Sequence, residues 1–125
     1  MKSRWVQKQD QRILFIDLSN FGKNHREFEE ELNQTVSTIG QEMYQQPQHS
    51  VLVLVDLTNT SMTSEANHLL SERITDTKKF VRKTAVVGMT GIRGVFLDYF
   101  ARLAGSETVG FDNVDAAEKW LIESK

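Results

Sequence analysis

The residues best suited to chemistry in this chain are two aspartates that end two apolar runs in the same way. Ile16-Asp17-Leu18-Ser19-Asn20 is echoed by Val55-Asp56-Leu57-Thr58-Asn59: each run closes on an acid, a leucine, a hydroxyl residue and an asparagine. If the runs are neighbouring strands, Asp17 and Asp56 face one crevice outside the strand ends, where open α/β sheets hold their ligands. Two carboxylates there could hold a Mg²⁺ ion, a hard cation that prefers oxygen. The simpler reading is that each Asp accepts N–H bonds within its own turn, as such residues commonly do. That reading is the favoured one.

Two kinds of phosphoryl chemistry use acids in this position, and the chain is incomplete for both. A phosphotransfer receiver needs a further acid and a lysine after a late strand; Thr90 follows the third strand here and no lysine follows the last. Asp56-Leu57-Thr58-Asn59-Thr60 is similar to the Asp-x-Thr-x-Thr of enzymes whose Asp forms a covalent aspartyl phosphate. Those enzymes also need a downstream lysine and a pair of metal-binding acids, and no Gly-Asp-x-x-Asp-like segment is present. Chance is the better account of the match.

Gly88-Met89-Thr90-Gly91-Ile92-Arg93-Gly94 is a glycine-spaced turn running into a helix. Unbonded N–H groups at such a turn attract anions, and Arg93 could add a charge-assisted bond. The stretch is neither a P-loop nor a dinucleotide fingerprint, because the lysine and the G-x-G spacing are missing. With Thr58 and Asn59 from the preceding loop, Thr90, Gly91 and Arg93 form the candidate ligand-binding set. His25, His49 and His68 show no i, i+4 pair, and the absence of cysteine excludes disulfides, zinc-thiolate sites and thiol nucleophiles. No catalytic constellation is complete, and no cofactor is implied.

Alternating strands and helices must position these residues. Val51–Val55 is five apolar residues in a row, a fully buried central strand. Upstream, Trp5–Lys8 reads as a short edge strand that turns at Gln9-Asp10-Gln11 into a stronger strand over Ile13–Leu18. Asn24 caps a long helix with Glu27 three residues on. Phe28, Leu32, Val36, Ile39 and Met43 form its inward face, while Glu29, Glu30 and Glu31 read as a solvated one. Pro47 forbids its continuation. A second helix starts between Thr60 and Ser64, with Ala66, Leu69, Leu70, Ile74, Thr77 and Val81 inward. Its last turns carry Lys78, Lys79, Arg82 and Lys83, where cations suit a helix C-terminus and could also meet phosphate or an anionic membrane surface.

Thr84–Met89 reads as a third buried strand. A helix follows with Ile92, Val95, Phe96, Tyr99, Phe100 and Leu103 on one broad face, better suited to core than to docking, and Gly105 at its end. Thr108–Phe111 is the last strand, and Asp112 or Asn113 caps a final helix facing inward through Val114, Ala117, Trp120 and Leu121. The fold expected is α/β: a single layered domain over residues 1–125, with a mostly parallel sheet of four to five strands, an antiparallel edge and about four helices. At 125 residues the chain is long enough for a core without metal or disulfide staples. Fifteen Lys and Arg against seventeen Asp and Glu argue against a general nucleic-acid binder. The start of the chain lacks the apolar core of a signal peptide, and no apolar run approaches the roughly 18 residues of a membrane span. A cytoplasmic location is expected.

In that order of elements the chain resembles the SpoIIAA-like branch of the STAS superfamily. Three stretches carry the likeness: Val51-Leu52-Val53-Leu54-Val55-Asp56-Leu57-Thr58, then Lys83-Thr84-Ala85-Val86-Val87-Gly88, then Val109-Gly110-Phe111-Asp112 with Ala116-Ala117-Glu118-Lys119-Trp120-Leu121. Together with the helix beginning Phe28-Glu29-Glu30-Glu31-Leu32, they span most of the sequence. The resemblance implies a non-catalytic module that binds a small anionic or lipid-like ligand or a protein partner. Separately, the face of Ile92, Phe96, Tyr99, Phe100 and Leu103, if part of it is exposed, could dock lipid peripherally or a second copy of the protein. In such relatives a serine at the start of the helix after the central strand is phosphorylated. The Asp-Ser-Ser-Gly of that switch falls on Ser64-Glu65-Ala66-Asn67, which places Glu65 at the acceptor position, so the sigma-regulating role does not carry over. Ser61, Thr63 and Ser64 are the remaining candidate phosphorylation sites. The alternative is a small metal-dependent phosphatase or phosphotransfer protein using Asp17 and Asp56.

Overall fold

The computed structural model describes residues 1–88 and 94–123, with the backbone alone over 94–96. Five strands form one sheet in the order of the chain. β1 (Arg4–Lys8) and β2 (Gln11–Asp17) are an antiparallel hairpin joined by Gln9-Asp10, with Gln9 at φ 55°. β3 (Val51–Asp56), β4 (Val81–Val87) and β5 (Glu107–Phe111) extend it in parallel. Because each parallel strand lies beside its predecessor, right-handed crossovers must put the connecting helices on one face. α1 (His25–Tyr44), α2 (Ser64–Thr77) and α3 (Gly94–Ala104) occupy that face, and α4 (Val114–Glu123) covers the other.

The two-residue period of the strands divides the core accordingly. Leu14, Val53, Val55 and Val86 point toward α1 to α3 with Phe28, Leu32, Ile39 and Leu70. Ile13, Phe15, Leu52, Leu54, Ala85 and Val87 pack on Ala117 and Leu121 of α4. All six residues of β3 are buried, as its continuous apolar run requires.

The caps follow from local chemistry. Asn24 Oδ1 accepts from Glu27 N at 3.1 Å, Thr63 Oγ1 from Ala66 N at 3.2 Å and Asn113 Oδ1 from Ala116 N at 2.8 Å. Gly105 ends α3 at φ +68°.

Five sequence expectations are corrected. The third strand runs from Val81 to Val87, not Thr84 to Met89, because α2 stops at Thr77 and a 3-10 turn over Lys78–Phe80 places Val81 opposite Val51. Val81 is therefore a strand residue and not part of a helix face. Val36, expected inward on α1, is 40% exposed. Glu31, expected on a solvated face, is 5% exposed and takes part in the packing described below. In α3, Phe100 is buried while Tyr99 is 53% exposed; Met89, Ile92 and the side chains of Val95 and Phe96 lie outside the described residues. Among the described residues, no helix is long and apolar enough to cross a membrane.

Candidate functional site

Register places Asp17 directly opposite Asp56 at the C-terminal ends of β2 and β3. The repeated sequence makes a repeated turn. Asp17 Oδ1 accepts from Ser19 N at 3.1 Å and Ser19 Oγ at 2.5 Å; Asp56 Oδ1 accepts from Thr58 N at 3.0 Å and Thr58 Oγ1 at 2.6 Å. Each turn closes on an asparagine in the left-handed region, Asn20 at φ 64° and Asn59 at φ 56°, a conformation that Asn tolerates better than other non-glycine residues. Asn59 Nδ2 then donates to Asn20 Oδ1 at 3.0 Å, so the two copies hold each other.

The loops continue the parallel ladder past the strands. Leu18 N donates to Asp56 O at 2.9 Å, Asn20 N to Thr58 O at 2.7 Å, Gly22 N to Asn59 O at 2.9 Å and Ser61 N to Gly22 O at 2.8 Å. Thr60 Oγ1 donates to Leu18 O at 2.6 Å and accepts from Phe21 N at 3.1 Å. On the other side Leu57 N donates to Val87 O at 2.8 Å. Gly88 makes this approach feasible: its φ is +94°, and a Cβ there would stand 2.8 Å from Thr58 N and 2.9 Å from Leu57 C. The two loops that follow the acids are thus bonded to each other through backbone and turn groups. Asp17 also faces Lys2 Nζ at 3.5 Å and Arg4 at 3.8 Å.

Of the candidate ligand-binding residues, Thr58 and Asn59 are exposed at the rim of these loops, while Thr90, Gly91 and Arg93 lie outside the described residues. Thr63 is the N-cap of α2 and Ser64 its exposed first residue, with Ser61 half-buried just before them. Among the described residues, no group of three or more His, Asp or Glu side chains converges as a metal site.

Two buried charges tie distant segments together. Glu31 on α1 accepts from Lys2 N at 3.0 and 3.1 Å and from Ser3 N at 2.9 Å, anchoring the approach to β1. Burial pushes its carboxyl up, but the bonds from Lys2 and Ser3 and the nearby N-terminal ammonium together hold it below the ordinary value. Lys83, 3% exposed on β4, donates to Trp120 O at 2.7 Å and Leu121 O at 3.4 Å and lies 4.2 Å from the Trp120 ring centre. A cation at a helix C-terminus was expected of this basic cluster, and Lys83 serves the last turn of α4 instead of α2. Burial and the Arg82 charge lower its pKa, against the opposing pull of Glu107 and Glu123.

An apolar concavity lies elsewhere, between the sheet and the inner sides of α1 and α2. It is a cavity of about 110 Å³ with an almost wholly apolar lining that includes Leu32, Ile39, Val55, Leu70 and Ile74. Thr35 and Thr77 also line it, but their hydroxyls donate to Glu31 O and Arg73 O at 2.8 Å. Gly40 leaves a gap in the wall, since a Cβ there would touch only Val36 Cγ1 at 3.8 Å. Val36 and Lys78 are the exposed residues of the described lining and mark its open side; Arg73, half-buried, lies on α2 five residues before Lys78, the residue that follows the helix. The inward stripe of α2 was readable in the sequence, and Arg73, falling between Leu70 and Thr77 on that stripe, was the signal that its face is not plain core.

No family model and no curated protein matches the sequence. Among solved structures, the chain is similar to an uncharacterized protein of the DUF3478 family with a SpoIIAA-like fold from Shewanella loihica. The TM-score is 0.70 at 14% identity, covering 95% of this chain and 91% of that one. This chain has the SpoIIAA-like fold. The sheet of five strands with one antiparallel edge and four helices agrees with the architecture expected from the sequence.

Proposed function

We propose that the protein is a non-catalytic binding module of SpoIIAA type whose ligand enters the cavity between α1, α2 and the sheet. The observation that carries this reading is the cavity itself. Packed interiors leave few voids larger than a water molecule, yet this one reaches about 110 Å³ with scarcely any polar lining. An apolar cavity of about 150 Å³ stays dry and takes up benzene, so this space suits a short alkyl chain or one ring. An open side at Val36 and Lys78 provides entry. The occupant belongs to the apolar, lipid-like class.

The reading is tested with 1-octanol in thermal unfolding. A ligand that binds only the folded state raises the midpoint with its concentration. The wild type should show a saturable rise, and Gly40→Leu, which fills the gap in the wall, should show none. An equal response in both proteins would remove the cavity from the account. The strand-end loops with Thr58, Asn59, Thr90, Gly91 and Arg93 are the alternative location for a ligand.

A phosphatase or phosphotransfer role is the second reading, supported by the opposition of Asp17 and Asp56 across β2 and β3. Against it, one oxygen of each acid is committed to its own turn. Hydrolysis of p-nitrophenyl phosphate with Mg²⁺, lost in both Asp17→Asn and Asp56→Asn, would establish it.

A further inference from the structure

The charges around the cavity narrow the class of ligand, an inference that rests on the cavity being the binding site. We propose that it takes an unbranched monocarboxylate, with the alkyl chain inside and the free carboxylate at Arg73 and Lys78. Among the described residues, every charged residue of the lining is a cation: Arg73 and Lys78 stand there, and no Asp or Glu does. Asp76 pairs with Arg73 at 3.5 Å, but from outside the lining. Arg73 lies toward the C-terminal end of α2 and Lys78 directly after it, so the polar end of a ligand is drawn to that side of an otherwise apolar chamber. The partial negative charge of the α2 C-terminus opposes an anion there, and Arg73, Lys78 and the adjacent Lys79 outweigh it. Arg presents a planar fork that matches a carboxylate, and Lys78 adds a mobile point charge. The hydroxyls of Thr35, Thr77 and Thr108 donate to backbone carbonyls close by in sequence, and the threonines of the lining, Thr84 included, carry no charge to compete with the two cations.

The test compares octanoate with 1-octanol, equal in chain length and different in charge, by calorimetric titration at neutral pH and low salt. Octanoate should bind about tenfold more tightly, the gain of one charge-assisted contact at a partly solvated site. In the double variant Arg73→Gln with Lys78→Gln, at solvent-accessible helix positions that tolerate Gln, the two ligands should bind equally. Equal binding to the wild type would overturn the carboxylate assignment and leave the apolar cavity standing. A preference that survives the double variant would also overturn it, by placing the head elsewhere. Failure of both ligands to bind would refute the cavity reading, and this inference with it.

Discussion

Replacing Gly88 by alanine tests how tightly the strand-end loops are closed. Gly88 follows β4 at φ +94°, where a side chain costs about 1–3 kcal/mol in backbone strain. Its new Cβ would also stand 2.8 Å from Thr58 N and 2.9 Å from Leu57 C, well inside contact distance and against backbone on a loop already bonded on both sides. Relief requires the Leu57 N to Val87 O bond of 2.8 Å to lengthen, which forfeits about 1 kcal/mol more. The sum is about 2–4 kcal/mol, a large part of the about 5–15 kcal/mol by which domains are stable. In urea, with a slope of about 1–3 kcal/mol per M, the midpoint should fall by about 1–3 M with the slope unchanged. Gly22→Ala is the control: φ is +55° but nothing lies within 4 Å of the added Cβ, so only the conformational cost of about 1 kcal/mol applies. A Gly88→Ala protein within about 0.5 kcal/mol of wild type would refute the close approach.

Gly40→Ala should stabilise α1 by about 1 kcal/mol, since helix propensity improves and the added methyl meets open space; destabilisation in urea would mean that the wall is already packed there. Glu31 sits below its ordinary carboxyl value in the fold, so its contribution is complete above the unfolded value of 4.5 and is lost as pH falls through the folded one. Glu31→Gln should therefore cost about 1–2 kcal/mol at neutral pH and flatten the acid limb of the stability profile. Lys83 is shifted down from 10.5, so the unfolded chain binds its proton more tightly and stability rises with pH as the folded value is passed; Lys83→Met should remove that rise below 10.5. Phosphorylation at Ser61, Thr63 or Ser64 is checked by the intact mass of protein from its own host. A phosphate on Ser64 would sit at the positive end of α2, whereas one on Thr63 would displace the cap to Ala66 and loosen the helix by about 1 kcal/mol.

The architecture was legible because its signals are local and repeated. The apolar run of β3, the caps at Asn24 and Asn113 and the glycine after α3 each name their own element, and right-handed crossovers leave little freedom in joining them. The twin Asp-Leu-hydroxyl-Asn turns were legible for the same reason: each Asp bonds two residues ahead, so sequence alone contains both partners. Glu31 was misread because its partners, Lys2 and Ser3, are almost thirty residues away and carry no sequence signal of their own. Lys83 bonds the end of a helix nearly forty residues downstream. The cavity was invisible for a related reason. Helical spacing says which side of α1 and α2 faces the sheet, but the gap between them depends on volumes contributed jointly by Gly40, Val36, Leu70 and Ile74. The start of β4 was obscured by its own cations. Arg82 and Lys83 follow Lys78 and Lys79 closely enough to read as the last turn of α2, until the 3-10 turn at Lys78–Phe80 separates helix from strand.

The central claim is that ligand enters between α1 and α2 and not at the strand ends. Methyl-detected NMR during a titration with octanoate tests it directly. The account predicts saturable shifts at Ile39, Leu70 and Ile74, which line the cavity, with Leu18 and the Thr58 methyl of the twin turns unmoved. Shifts confined to Leu18, Thr58 and the neighbouring loops, with the cavity methyls silent, would contradict it.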